Sequence, residues 1–316
     1  MIRQPQPPGQ TTAVEAVRTL VLAPHFDDEV LGCGGLVAQL CRAGAPVNVL
    51  FLTDGSGGIE EVDDRDIYAA RRRREAEKVT RLLGCAGLEV LGIRDGALAA
   101  GRAEAAAAIR QSLLEQRPGL LLVPSPLEVS ADHRAAFAAL HDVLSASREA
   151  VEGAALAEVA RGLEVWLYDV NHPGYPDRLV DVSDCRATIE AAMALYASQE
   201  ERHPYLRAGL GLRQFRTHTL GPQVALVEGY RRLAASDFAR QELAALVAEV
   251  GGSVPELAEN LHRRGADVAD TAEIARLKAV IREMEGTRAW RLHRWVERLR
   301  ALGGPRSGPA GPQEAG

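Results

Sequence analysis

From residue 18 to about residue 182 the chain alternates short, nearly uninterrupted apolar runs with longer segments of helical period. This alternation constrains the fold more than any other feature. Runs such as 19–23 and 120–124 are apolar at almost every position, as a parallel strand buried on both faces requires; a half-exposed strand would alternate. The pattern predicts strands at 19–23, 47–53, 88–93 and 120–124, with helices at 30–42, 66–83, 102–115 and 132–147. A further strand around 165–170 and a helix around 184–199 extend the same layers. Such a succession of βαβ units implies an α/β fold, a mostly parallel sheet with helices on both faces. Segment 203–222 is rich in Arg, Gly and His without a clear period, and reads as an extended loop.

Character changes beyond about residue 236, where Ala, Glu, Arg and Leu dominate and Gly251-Gly252-Ser253 and Pro255 interrupt. The expected organisation is a flexible N-terminus at 1–17, a main domain at 18–235, a helical C-terminal appendage at 236–302 and a disordered tail at 303–316. In the appendage, Ile274, Leu277, Ile281 and Met284 share a stripe suited to packing or self-association, which admits a homo-oligomer. The basic stretch with Trp290 and Trp295 admits contact with a membrane surface.

Charge excludes some classes of partner. With 37 basic and 43 acidic residues the formal net charge is only -6, so nucleic acid is not an expected partner. The first residues lack a basic start and an apolar run, which argues against a signal peptide, and no stretch has the ~20 apolar residues of a membrane span. Four scattered cysteines without CxxC spacing fit free thiols, and a cytoplasmic location is the expectation.

Chemistry concentrates where the first strand ends, in Pro24-His25-Phe26-Asp27-Asp28-Glu29. Ligands of open α/β sheets bind at the carboxyl ends of strands, above all where strand order reverses. An imidazole and a carboxylate three residues apart on such a turn, His25 and Asp28, can address one ion, and mixed N/O ligation suits Zn²⁺. Acidic residues there could instead simply cap the next helix, but capping needs one carboxylate, not three with a histidine. A catalytic zinc site commonly takes three protein ligands. The fourth strand ends in a loop that closes on Asp132-His133, and with strand order 3-2-1-4 His133 would reach the same ion. Asp27 is then free to act as general base. Asp132 suits a role in orienting or tuning a neighbour in the catalytic set, or a helix N-cap.

These residues resemble the PIG-L/LmbE family of N-acetylglucosaminyl deacetylases, whose opening motif reads Ala-His-Pro-Asp-Asp-Glu. The likeness continues through Thr53-Asp54-Gly55, Arg72 with Glu75, Gly92-Ile93-Arg94-Asp95-Gly96 and Leu195-Tyr196-Ala197-Ser198-Gln199, over about residues 18–232. It implies a Rossmann-like sheet and a zinc-dependent N-deacetylase acting on an amino-sugar conjugate, with zinc on His25, Asp28 and His133 and Asp27 as base. It also implies that Arg72 and Asp95 build the sugar pocket, although within the run 71–74 the register is ambiguous. Two positions depart from the family pattern. Phe26 stands for the usual Pro. Ser130 stands for the first His of the second motif, and a hydroxyl can donate a hydrogen bond but carries no positive charge. His172 or His218 could substitute for it from later loops. The competing reading is a catalytically weakened binding or scaffold protein on the same fold, against which stands the joint presence of His25, Asp27, Asp28 and His133.

Overall fold

A computed structural model describes residues 8–57, 62–146 and 150–251 of the chain. The stripe at 274–284, the basic stretch with Trp290 and Trp295 and the tail at 303–316 lie outside the described residues.

Five strands follow the apolar runs: β1 (Thr19–Ala23), β2 (Val47–Thr53), β3 (Gly87–Ile93), β4 (Leu120–Pro124) and β5 (Glu164–Tyr168). Two more, β6 (Arg178–Asp181) and β7 (Val227–Ala234), complete a seven-stranded sheet of order β3-β2-β1-β4-β5-β7-β6. The pairs β1–β2, β2–β3, β1–β4 and β4–β5 are parallel, and β7 runs antiparallel to both β5 and β6. The chain starts at β1 in the interior, works outward to β3 and returns to β4, so strand order reverses between β1 and β4 as anticipated.

Alternate residues of each strand feed two cores. Leu20, Leu22, Leu121 and Val123 pack with α3 (Arg102–Gln116), α4 (Ala131–Ala146) and α5 (Ala150–Arg161). Val21, Ala23, Val49 and Phe51 pack on the opposite face with α1 (Asp28–Arg42), α2 (Val62–Leu83) and α6 (Arg186–Leu195). All five β1 residues are buried, which explains the unbroken apolar run.

Helix α1 is not one regular helix. Cys33, at φ −146° and ψ 18°, breaks it, and the freed N–H groups of Gly35 and Leu36 each donate to the Glu228 carboxylate of β7 at 2.8 Å. Arg213 neutralises that buried carboxylate at 2.6 Å, and the Tyr230 hydroxyl donates to it at 2.7 Å. The glycines here serve close approach: a Cβ on Gly32 would enter the Tyr168 ring, and one on Gly35 would enter Val182.

The structure corrects the reading of 203–222 as a loop. It contains α8 (Tyr205–Phe215) and a 3₁₀ turn at Arg216–Thr219. Leu206, Leu210 and Arg213 are spaced by four and three, so they share a stripe; the two leucines pack on the core beside α1, and Arg213 reaches Glu228. Polar residues and Gly209 and Gly211 between them obscured this period. The helix anticipated at 184–199 is divided into a 3₁₀ turn, α6 and the short α7 (Ala197–Glu200), parted at Tyr196. The start of the segment read as an appendage forms α9 (Ala235–Arg240) and α10 (Leu243–Val250), whose Phe238, Leu246, Val247 and Val250 are part of the main core.

Candidate active site

Because β1 and β4 are neighbours and parallel, the loops that leave their carboxyl ends open side by side. The first carries His25 and Asp28, the second leads to His133 in the first turn of α4. Their polar atoms converge. His25 Nδ1 lies 3.3 Å from Asp28 Oδ2, His133 Nε2 lies 3.2 Å from the same oxygen, and the two ring nitrogens are 3.2 Å apart. Ligands held ~2.0–2.1 Å from a tetrahedral ion are separated by roughly 3.3–3.4 Å. The triangle of two nitrogens and one oxygen therefore has the size and donor chemistry that such an ion needs, and these three residues form a group able to hold one.

Each imidazole is aimed from behind by a carboxylate. His25 Nε2 lies 3.2 Å from Asp132 and 3.4 Å from Asp95, which leaves Nδ1 for the triangle. His133 Nδ1 lies 3.3 Å from Glu128, which leaves Nε2. A carboxylate on the far nitrogen fixes both tautomer and ring orientation. Asp132 is itself held by the N–H groups of Gly96 at 2.6 Å and Leu98 at 3.1 Å, so it neither caps α4 nor lines the cavity. Glu128, fully buried, accepts the N–H groups of Val170 at 2.6 Å and Asn171 at 3.0 Å. In the sequence Glu128 stands out only as the one charged residue of the loop 125–130 that follows β4.

Asp27 adjoins the triangle in a costly backbone conformation, φ 130° and ψ −20°. Non-glycine residues there cost about 1–3 kcal/mol and tend to mark functional sites. Burial, with Asp28 adding, pushes its pKa up to about 7, while Arg72 and the two histidines pull the other way. Asp28 behaves oppositely: burial opposes its charge, but His133 and His25 hold it well below the usual carboxylate range. Burial disfavours charge on His133 as well, yet Asp28 and Glu128 raise it to about 9. For His25, contacts with Asp132, Asp28 and Asp95 likewise outweigh burial and raise the pKa. The neighbouring acids thus diverge, Asp27 with its pKa raised and Asp28 with its pKa lowered.

His25, Asp27, Asp28, His133, Arg72, Asp95 and Ser130 all line one cavity of about 510 Å³. Arg72 resolves the ambiguous register of the arginine run. It is buried, donates to the carbonyls of Phe26 and Gly55, and approaches Asp27 at 3.5 Å, whereas Arg71 pairs with Glu201 at the surface and with Glu75, and Arg73 pairs with Glu77. Asp95 accepts the Gly57 N–H at 3.1 Å, and Asp54 holds the Asp95 N–H at 3.0 Å while closing its own turn on Ser56. Phe26 is buried against Phe51, centroid to centroid 4.7 Å. The Ser130 hydroxyl lies 3.5 Å from the His133 backbone nitrogen. Of the later histidines, His218 lines a different cavity and His172 does not line this one; His203 does, with Gln199, Arg202 and Tyr205.

Comparison with known proteins agrees with this geometry. The family model described as PIG-L, GlcNAc-PI de-N-acetylase, matches residues 20–144. The diacetylchitobiose deacetylase of Thermococcus kodakarensis is 32% identical over 213 residues, covering 60% of this chain and 75% of that protein. The chain belongs to the PIG-L family. Among solved structures, the N,N'-diacetylchitobiose deacetylase of Pyrococcus horikoshii, bound to an inhibitor, superposes with a TM-score of 0.57 at 26% identity, over 72% of this chain and 88% of that one. A conserved protein of Thermus thermophilus gives a TM-score of 0.54 at 29% identity, over 68% and 94%. The family segment spans both loops that bear the triangle. Among the described residues no helix is long and apolar enough to cross a membrane.

Proposed function

We propose that the chain is a zinc-dependent amide hydrolase that removes the N-acetyl group from an amino sugar of the N-acetylglucosamine type, with Asp27 as general base. One observation carries the reading: a triangle of His25, Asp28 and His133 atoms with edges of 3.2–3.3 Å, beside the buried Asp27 carboxyl in a polar cavity. Its support from relatives is the activity named for the Thermococcus protein.

His25, Asp28 and His133 would hold the zinc, and Asp132 and Glu128 would keep the two rings in the ligating tautomer. An ion so held supplies electrophilic polarisation of an acyl oxygen and acidification of water. Asp27 would take a proton from the attacking water and return it to the amine nitrogen as the C–N bond breaks, releasing acetate and the free amino sugar. Burial raises the proton affinity of the Asp27 carboxyl, which suits a group that must take up a proton and give it back. Arg72 keeps the loop that carries Asp27 in place through the Phe26 and Gly55 carbonyls. Asp95, Gln199 and Arg202 offer carboxylate, amide and guanidinium groups for sugar hydroxyls, and Ser130 offers a neutral hydroxyl donor at the reacting carbonyl.

Ser130 is also the observation that favours the second reading, a binding or scaffold protein of weakened activity. Elemental analysis, with acetate release from a panel of N-acetylglucosamine conjugates, separates the two. The hydrolase reading expects about one zinc per chain and acetate release that a chelator abolishes and added zinc restores. Bound zinc with no acetate from any conjugate supports the scaffold, and protein that takes up no zinc refutes the metal assignment.

A further inference from the structure

The strained backbone of Asp27 needs something to hold it, and the structure places a buried chain of two groups in that position. The Asp27 N–H donates to Glu29 Oε2 at 3.2 Å, and the Tyr196 hydroxyl donates to Glu29 Oε1 at 2.5 Å. Glu29 and Tyr196 are fully buried and neither lines the cavity, so their contacts are with protein alone. A carboxyl buried this deeply is costly to keep, and both of its oxygens are given to these donors.

Tyr196 is itself clamped from the other side. It sits at the break between α6 and α7, at φ −82° and ψ 49°, where the chain leaves helical geometry. The next residues are tied to α2: Ser198 donates to Glu75 from its backbone at 3.2 Å and its hydroxyl at 2.5 Å, and the Gln199 amide donates to the Tyr68 hydroxyl at 2.9 Å. Helix α2 also carries Arg72, which faces the Asp27 carboxylate at 3.5 Å. Segment 196–199 thus reaches Asp27 twice, through Glu29 to its backbone and through α2 to its charge partner. The arrangement explains what Leu195-Tyr196-Ala197-Ser198-Gln199 does beyond lining the cavity with Gln199.

We propose that Tyr196 and Glu29 are positioning residues that lock Asp27 in its positive-φ conformation, so that its carboxylate points into the cavity rather than back onto α1. The inference rests on the reading of Asp27 as the general base. A displaced base is a loss of transition-state geometry, whereas the groups that hold substrate and ion remain in place.

Tyr196→Phe is the decisive variant, because it removes one oxygen and leaves the ring in the core. We expect kcat to fall by about 100-fold, the loss typical of a slightly misplaced catalytic group, with KM and zinc stoichiometry near those of the wild type and a melting temperature lowered by a few degrees, because one buried Glu29 oxygen loses its donor. In an Asp27→Asn background the same change should cost nothing further, since the two act through one group. A wild-type kcat in Tyr196→Phe, or an equal further loss in the Asp27→Asn background, overturns the proposal. Should Tyr196→Phe fold poorly, Glu29→Met gives the same comparison, since its side chain fills about the same space and offers no oxygen to the Asp27 N–H. A crystal structure of either variant tests the lock independently of activity: Asp27 relaxed to negative φ is expected, and Asp27 unmoved overturns it. If the wild-type protein released no acetate, the deacetylase reading would fail, and that structural comparison would still decide on the lock.

Discussion

Two imidazoles in this site are each held by a carboxylate on the nitrogen that faces away from the ligand triangle, His25 by Asp132 and His133 by Glu128. Direct and indirect contributions should therefore separate in measurements of metal binding. His133→Ala should abolish stoichiometric zinc, whereas Glu128→Gln should retain zinc with affinity lowered about 10–100-fold; competition with a chromophoric chelator reads both, and unchanged affinity in Glu128→Gln would remove its orienting role. Asp27→Asn should behave in the opposite way, keeping full zinc while kcat falls by about 10²–10⁴-fold, the range for loss of a general base. Substantial activity in that variant, measured as acetate release, would reassign the base. At this scale the sequence was most legible where residues carry chemistry in one short motif: His25, Asp27 and Asp28 lie within four positions, and His133 follows from strand order. It was least legible where a role depends on direction. Arg72 could not be told from Arg71, Arg73 and Arg74 until α2 fixed which one faces Asp27. Asp132 was ambiguous between cap and orienting group because both require only an acid near a helix start. Glu128 has no periodic or motif signal at all; its meaning comes from Val170 and Asn171, more than forty residues later, and from His133.

Elements that bury both faces were readable, and elements defined by polar contacts were not. The first five strands announce themselves as apolar runs. Strand β7 does not, since Glu228, Arg231 and Arg232 interrupt it, and yet Glu228 is among the most buried residues of the molecule. Its carboxylate closes the break in α1 and is neutralised by Arg213 from α8, so three elements meet on one charge. The role of the α1 glycines, letting Tyr168 and Val182 pack against the helix, was not legible without the neighbours. Removing one member of a buried pair leaves the other uncompensated, which costs about 3–5 kcal/mol. Glu228→Gln should therefore lower the urea midpoint by that much stability without changing the dependence on denaturant, because Arg213 stays buried with a neutral partner. A stability within about 0.5 kcal/mol of the wild type, the level of an ordinary surface substitution, would show that the break in α1 is held by packing alone. Since α1 begins at Asp28, the same variant should also weaken zinc binding if the kinked helix is what places that ligand.

For the whole molecule, the placement of α9 and α10 bears on where the folded unit ends. Composition changes near residue 236, but Phe238, Leu246, Val247 and Val250 fill the core beside α4, with the Phe238 ring 5.4 Å from that of Phe137. His141 on α4 adds a buried polar tie, its Nε2 lying 2.8 Å from the Gln241 carbonyl. A compositional boundary is thus not a packing boundary: an Ala- and Leu-rich helix looks the same whether it lies on its own domain or completes the preceding one. Each of the four apolar side chains contributes about 1.5–3 kcal/mol by burial. A chain ended at residue 234 should consequently fail to fold cooperatively, losing its urea transition and exposing the α4 face to a hydrophobic dye. Phe238→Ala in the full-length chain is the milder form of the same experiment. It should fold, bind zinc and lose about 3–5 kcal/mol, because a cavity opens against Phe137 and His141 of α4, the helix that carries His133 one turn before Phe137. Zinc affinity that fell in proportion to stability would mean that the packing of Phe137 and the placement of His133 are coupled; zinc affinity held constant while stability drops is the expected result, and would assign α9 and α10 to holding the fold.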